Sequence, residues 1–272
     1  MHLYEVEPPL ELRQVIKNFW HFRLDLGQGP ASLEVLPDGY AEIIFYFGNA
    51  GGLTVQGGGP RLPSPFLTGL LDRPVRFTGS GWLDVVGIKC FPWAMFDLLG
   101  LPAGRGGVQP VPHPLAQLHA PLQKLIEATQ VQEALAEVAQ YFKTTWLAGT
   151  DTPVLRKAGA AMRRANGTLP VHEVAAAAHA TVRTLERRFK QAVGHTVKDV
   201  SALMRFEQVR DRLWRDPAAS LAGLAHELGY ADQSHLGQEF KRYSRTTPAA
   251  FARHVKQVRR LVDRDFVVFV LT

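Results

Sequence analysis

The chain of 272 residues contains one cysteine, Cys90. An internal disulfide is therefore excluded, and with it the disulfide-stapled secreted architectures. Long apolar runs are missing as well: none approaches the roughly 20 residues that a membrane helix needs. The opening residues, MHLYEVEPPLELRQ, lack the basic and then apolar segments of a secretory signal. These absences together lead to the expectation of a cytoplasmic protein with no membrane association. The histidines of residues 1–150 are His2, His21, His113 and His119, and they form no His-x-His pair and no tight cluster with Asp or Glu. No metal site is expected. No phosphate loop of the G-x-x-x-x-G-K-[ST] type occurs, so the glycines of GNAGG and QGGGP read as turns. Cys90 reads as a small buried hydrophobe. No cofactor and no enzymatic chemistry are expected.

What is present is an ordinary globular composition, 46% hydrophobic and 21% charged, in a chain long enough for two cores. The net charge of +6 is unevenly placed. Residues 151–272 hold 21 Lys and Arg against 12 Asp and Glu, a net of +9, and residues 1–150 hold 10 against 13, a net of −3. Such asymmetry points to a polyanionic partner for the C-terminal part alone.

The pattern of the chain divides in the same way. AEIIFYFG, entered through Pro37-Asp38-Gly39, reads as a strand, as do PVRFTGSG and WLDVVGIKCF. Short strands with glycine turns indicate a small antiparallel barrel or sandwich. WAMFDLLG reads as a short helix closed by Gly100. From about Leu115 the spacing is helical, with an apolar stripe Leu135, Val138, Phe142 and Trp146 suited to packing on the chain's own sheet or on a second copy. The stretch 147–153 reads as the domain boundary, with Asp151 or Thr152 capping a helix that begins near Pro153. The expected fold class is α+β. A small β-barrel or sandwich-like domain with accompanying helices occupies 1–150, and an all-α domain with two helix-turn-helix motifs joined by a linker helix occupies 151–272.

The duplication behind that last statement is visible directly. VHEVAAAAHATVRTLERRFKQ (171–191) and SLAGLAHELGYADQSHLGQEFKR (220–242) each read as a short helix, a tight turn and a second helix. Ala175 lies fourteen residues before Phe189 and Ala225 fifteen before Phe240, the extra residue falling near Gly229-Tyr230. Small residues at Ala175 and Ala225 let paired helices cross closely. In the first copy Val182, Leu185 and Phe189 share one face and are expected to be buried beneath a Thr181 N-cap, leaving Arg183, Thr184, Glu186, Arg187 and Lys190 outward. In the second, Leu236 and Phe240 are buried behind an Asp232 cap, and Ser234, His235, Gly237, Gln238 and Lys241 face out. Such faces can donate to base edges and phosphates. The intervening segment predicts a helix of about 18 residues, ~27 Å long, close to the ~34 Å of one DNA turn.

TLERRFKQAVG, MRFEQVRDRL and LAHELGYADQSHLGQEFKR with TTPAAFAR resemble the DNA-binding domain of the AraC/XylS family of bacterial transcription regulators over about 153–256. The resemblance implies double-stranded DNA as partner, read by Thr181, Arg183, Thr184, Arg187, Arg188 and Lys190 from the first motif. From the second it implies Gln233, Ser234, His235, Gln238, Lys241 and Arg242. It implies RNA polymerase as a further partner for an activator, and a nucleoid-associated location. VLPDGYAEIIFYFG and the segment 66–100 are similar to the N-terminal domain of an AraC-like subgroup, implying a sensor or homodimerisation module. Trp93, Trp82, Tyr46 and His21 are the candidate effector-binding residues there, with core packing as their competing role. Two other readings remain open at this point: an architectural binder that does not read sequence, and an enzyme targeted to DNA. The apolar tail 266–272 is β-prone and expects to be covered by the chain's own fold or by a partner.

The second motif departs from the family pattern. Ser244-Arg245 stand where a Phe-Gly pair is usual, Ala231 where serine is, and Gln238 where arginine is common, while Gly237 inside a helix costs up to about 1 kcal/mol against Ala. The first motif is therefore expected to dominate affinity. Arg187→Ala should weaken DNA binding more than Gln238→Ala in paired titrations, and equal losses would refute the asymmetry.

Overall fold

The computed structural model describes residues 2–48, 52–56, 59–100, 107–146, 153–258 and 269–271. Its N-terminal strands are β1 (His2–Val6), β2 (Ile16–Asp25), β3 (Ala31–Val35), β4 (Ala41–Phe47), β5 (Thr54–Val55), β6 (Phe66–Thr68), β7 (Val75–Gly79) and β8 (Trp82–Cys90). Helix α1 (Met95–Leu99), strand β9 (Val108–Pro110), α2 (His119–Glu127) and α3 (Val131–Thr145) follow. The helical part is α4 (Pro153–Arg164), α5 (Val171–Ala177), α6 (Val182–Val193), α7 (Val197–Arg215), α8 (Leu221–Glu227), α9 (Gln233–Ser244) and α10 (Pro248–Val258), with β10 (Phe269–Leu271) last.

Two antiparallel sheets stack as an open sandwich, and no closed barrel forms among the described residues. The larger sheet runs β1-β2-β8-β4-β6-β9 and the smaller β10-β3-β7-β5. Trp20, Phe22, Ile44, Tyr46, Leu83 and Val85 meet Leu33, Val35 and Phe77 between the sheets. One residue out of step, Phe19, Ile43, Phe45, Val86 and Ile88 face the helices instead. Strands β4 and β8 are thus buried on both faces, which is why their sequences are nearly continuous apolar runs. A Cβ on Gly87 would lie 2.1 Å from the Trp20 indole, so that ring fits only because β8 carries glycine there.

The stripe Leu135, Val138 and Phe142 of α3 is buried in the chain's own core, with Trp146 half-buried beside it. Gly100 closes α1 with φ +64. Helix α4 begins at Pro153; the candidate caps Asp151 and Thr152 lie outside the described residues. Strand β10 pairs with β3, so the C-terminal tail returns to the N-terminal sandwich.

The two halves interlock at Trp93. Its ring stacks on Phe91 at 5.2 Å and meets Phe189 of α6 at 6.5 Å. Gly159 of α4 lies against the same ring, where a Cβ would come within 2.1 Å of it. Alanine ordinarily stabilises a helix interior relative to glycine. At this position Gly159→Ala should instead lower stability by about 1–3 kcal/mol through overpacking, read as a fall in Tm. Combining it with Trp93→Leu should recover part of the loss.

Candidate nucleic-acid interface

The repeated units fold as equivalent pieces. Helices α5 and α6 are joined by residues 178–181, and α8 and α9 by 228–232, so the additional residue of the second copy lies in its turn. The first turn uses His179 at φ +53 and the second Gly229 at φ +67. Ala175 and Ala225 are each 2% exposed, consistent with close helix crossing. Thr181 caps α6 by accepting from the Thr184 amide at 3.2 Å, and Asp232 caps α9 by accepting from the His235 amide at 2.7 Å.

The inner faces are formed by Leu185 and Phe189 in α6 and by Leu236 and Phe240 in α9, all fully buried. Val182 departs from the sequence expectation: it is 42% exposed. It sits at the first helical position, where the side chain leans back over the turn and beyond the edge of the core. Glu186 is also drawn inward, accepting from the Val197 amide at 3.3 Å.

Thr181, Arg183, Arg187, Arg188 and Lys190 are exposed, and Thr184 is half-buried. Gln233, Ser234, His235, Gln238, Lys241 and Arg242 are exposed in the second copy. Two hollows are bordered by different members of this set. Gln233, Ser234, Gln238 and Lys241 border a shallow hollow of about 410 Å³ with Gly237, Thr247 and Pro248. Lys190 and Arg242 instead line a cleft of about 380 Å³ shared with Leu70–Arg73 of the sandwich. His235 lies edge-on to Tyr230 at 5.4 Å, with its Nδ1 accepting from the Ala231 amide at 3.4 Å.

The four candidate effector residues are dispersed. Trp93 is the wedge between the halves, and Trp82 is 53% exposed at the start of β8. Tyr46 donates its hydroxyl to the Leu62 carbonyl at 2.5 Å. His21 is buried against Asp84 at 3.0 Å and borders an open groove of about 520 Å³ with Tyr4, Arg23 and Val131. Burial works against ionisation of Asp84, but hydrogen bonds from His21 and Arg23 outweigh it and hold its carboxyl below the usual range. A separate small cavity of about 30 Å³ lies between the sheets, bordered by Trp20, Phe22, Ile44 and Phe66 with Glu42 and Thr68. Sequence reasoning passed over Glu42, although a lone acid inside the apolar run AEIIFYF was a signal. Among the described residues no cluster of three or more His, Cys, Asp or Glu is placed to hold a metal. No described helix is long and apolar enough to cross a membrane.

Residues 174–254 match the family described as Helix-turn-helix domain, and residues 4–106 match a Domain of unknown function (DUF6597). A protein of Streptomyces antibioticus, named by inference as an AraC-like transcription regulator, is 34% identical over 110 residues. A second, of Streptomyces lividans and named in the same way, is 32% identical over 119 residues. The C-terminal domain is an AraC-type helix-turn-helix domain. The matches cover 40% and 43% of this chain but only 36% and 39% of those relatives. Among solved structures, ToxT from Vibrio cholerae is similar at 10% identity and a TM-score of 0.49, covering 86% of this chain and 97% of its own.

Within the AraC-type domain, α7 is the common support. Thr196 and Asp199 form a reciprocal cap at its start. Phe206 packs on Phe240 at 5.0 Å and on Tyr243 at 5.2 Å, fixing the back of α9. Arg205 donates to the Gly167 carbonyl at 3.0 Å and to the Glu239 carboxylate at 3.0 Å, tying α9 to the turn after α4. The two outer helices end differently: α6 at Gly194 with φ +77, and α9 at Arg245 with φ +61, a left-handed conformation that a side chain adopts at a cost. Removing Arg205 would leave Glu239, only 10% exposed at its side chain, without its cation. Arg205→Met should therefore cost about 3–5 kcal/mol in denaturant unfolding, and adding Glu239→Gln should return part of it.

Proposed function

We propose that the protein is a sequence-specific transcription regulator. It sets the outer faces of α6 and α9 into successive major grooves of double-stranded DNA. The observation that supports this most directly is the pair of capped helices with exposed Arg183, Arg187, Gln233, Ser234, Gln238 and Lys241, joined by the 19-residue α7. That helix is ~28 Å long, near the spacing of successive grooves on one DNA face. Basic side chains would neutralise phosphates and supply affinity, while the polar positions would read base edges.

The N-terminal sandwich is the control module in this reading. A small-molecule effector held there, a second copy of the chain and RNA polymerase are the further partners proposed, in the cytoplasm and on the nucleoid. No catalytic step is assigned. The test is selection from a random DNA library with the full chain, then fluorescence anisotropy at two salt concentrations. An enriched motif with two elements about one helical turn apart, bound far more tightly than scrambled DNA, is the expected result. Tight but motif-free binding with a steep salt dependence would replace this reading with an architectural one.

A further inference from the structure

The contact between the two halves is unusual in its chemistry. Arg210 of α7 donates to the Pro37 carbonyl at 2.7 Å, and Arg163 at the end of α4 donates to the Gly39 carbonyl at 2.6 Å. Two arginines of the DNA-binding domain thus hold both sides of one turn of the sandwich. Gly39 leaves room for this, since a Cβ there would lie 2.5 Å from the Arg163 guanidinium. Arg163 also lies over the Tyr40 ring at 3.9 Å and pairs with Glu207 of α7 at 2.7 Å, while Arg210 pairs with Asp211 at 2.8 Å.

Between the carbonyls is the Asp38 carboxylate, buried and paired with Lys89 of β8 at 2.9 Å. The same ammonium lies 3.1 Å from Glu42 of β4, and Glu42 borders the cavity between the sheets. Burial raises the Asp38 pKa, but Lys89 and Arg210 outweigh it and hold the acid ionised. Burial pushes the Glu42 carboxyl upward, with Lys89 opposing and Asp38 reinforcing. One ammonium therefore serves two buried acids, one facing the sandwich interior and one facing the arginines of α4 and α7. A buried ionic array is weak evidence of stability, because a well-packed apolar set serves as well or better. What it does offer is alternative pairings, the property a two-state coupling element requires.

We propose that the Glu42–Lys89–Asp38 array is a latch through which the interior of the sandwich controls α7, and through Phe206 the pose of α9. The role assigned to it rests on the regulator reading. When Glu42 holds Lys89, the Asp38 charge is left to attract Arg210, whose guanidinium grips the turn 37–39 at the Pro37 carbonyl. When Glu42 loses its charge or is engaged by an occupant of the cavity, Lys89 turns wholly to Asp38 and the grip on α7 loosens. The latched arrangement leaves the outer faces of α6 and α9 exposed, so it is the DNA-competent one.

The experiment compares full-length wild type, Glu42→Gln and Asp38→Asn, with Glu34→Gln as a control that removes a half-buried acid paired with Arg76 outside the array. Hydrogen exchange of the α7 amides is measured without DNA, and affinity is measured on library-selected DNA. Glu42→Gln and Asp38→Asn should speed α7 exchange and weaken DNA binding on the order of 5-fold or more, while Glu34→Gln changes neither. A folded Glu42→Gln protein with wild-type α7 exchange and wild-type affinity would overturn the latch. Should Glu42→Gln not fold, the double variant Glu42→Leu with Lys89→Met replaces the pair by apolar groups and is held to the same criterion. If wild type selects no DNA, the regulator reading fails by itself, and α7 exchange still decides whether the array controls that helix.

Discussion

A helix of seven residues cannot hold its shape alone in water. Both α5 and α8 have that length, and each supports a helix that must present a defined outer face. The constraint is met by α7, which is buried around most of its circumference. Val200, Leu203, Met204, Phe206, Val209, Leu213 and Trp214 are all nearly inaccessible. The backs of both units, through Phe189 and Phe240, belong to the same continuous core. The outer faces are thereby free to carry charge and polarity, because the core is closed by Leu185, Phe189, Leu236 and Phe240 on the inner faces. Arg205 adds direction to an otherwise non-directional contact, since its fork reaches the Gly167 carbonyl in the turn after α4 and the Glu239 carboxylate of the second unit.

The same helix also faces the sandwich. Glu207 and Arg210 are 7% and 3% exposed, and both take part in the contact with the turn 37–39. The apolar contribution to that contact is compact, centred on Trp93 between Gly159 and Phe189. Shape fixes the approach of the halves at Trp93, and charge fixes their orientation at Arg163 and Arg210. An interface of this mixed kind holds one geometry firmly yet depends on a few ionised groups.

Legibility in the sequence followed the range of the interactions. Thr181, Asp232, Ala175 and Ala225 could be placed from the sequence because caps and helix crossings are local. Val182 was misjudged because periodicity describes an endless helix and takes no account of where the core stops. The strand order was not readable, since β2 pairs with β8 across some sixty residues and nothing nearby encodes the partner. Least visible was the inter-domain array. Arg210 and Pro37 are 173 positions apart, and in a linear reading Glu207 and Arg210 look like the solvated side of a helix. The dispersal of Trp93, Tyr46 and His21 has the same origin: aromatic residues advertise burial without saying which core they join, and Trp82, 53% exposed, joins none.

Cys90 is 0% exposed in β8, on the face covered by the helices. Burial, reinforced by the charge of Glu42, pushes its thiol far above the range in which a thiolate forms at neutral pH. As the chain's single cysteine, it is a natural clock for the opening of this face. Alkylation by a thiol reagent must wait for the helix layer over this face to lift from β8, so the labelling rate counts openings of the core that Cys90 shares with Trp93 and Phe189.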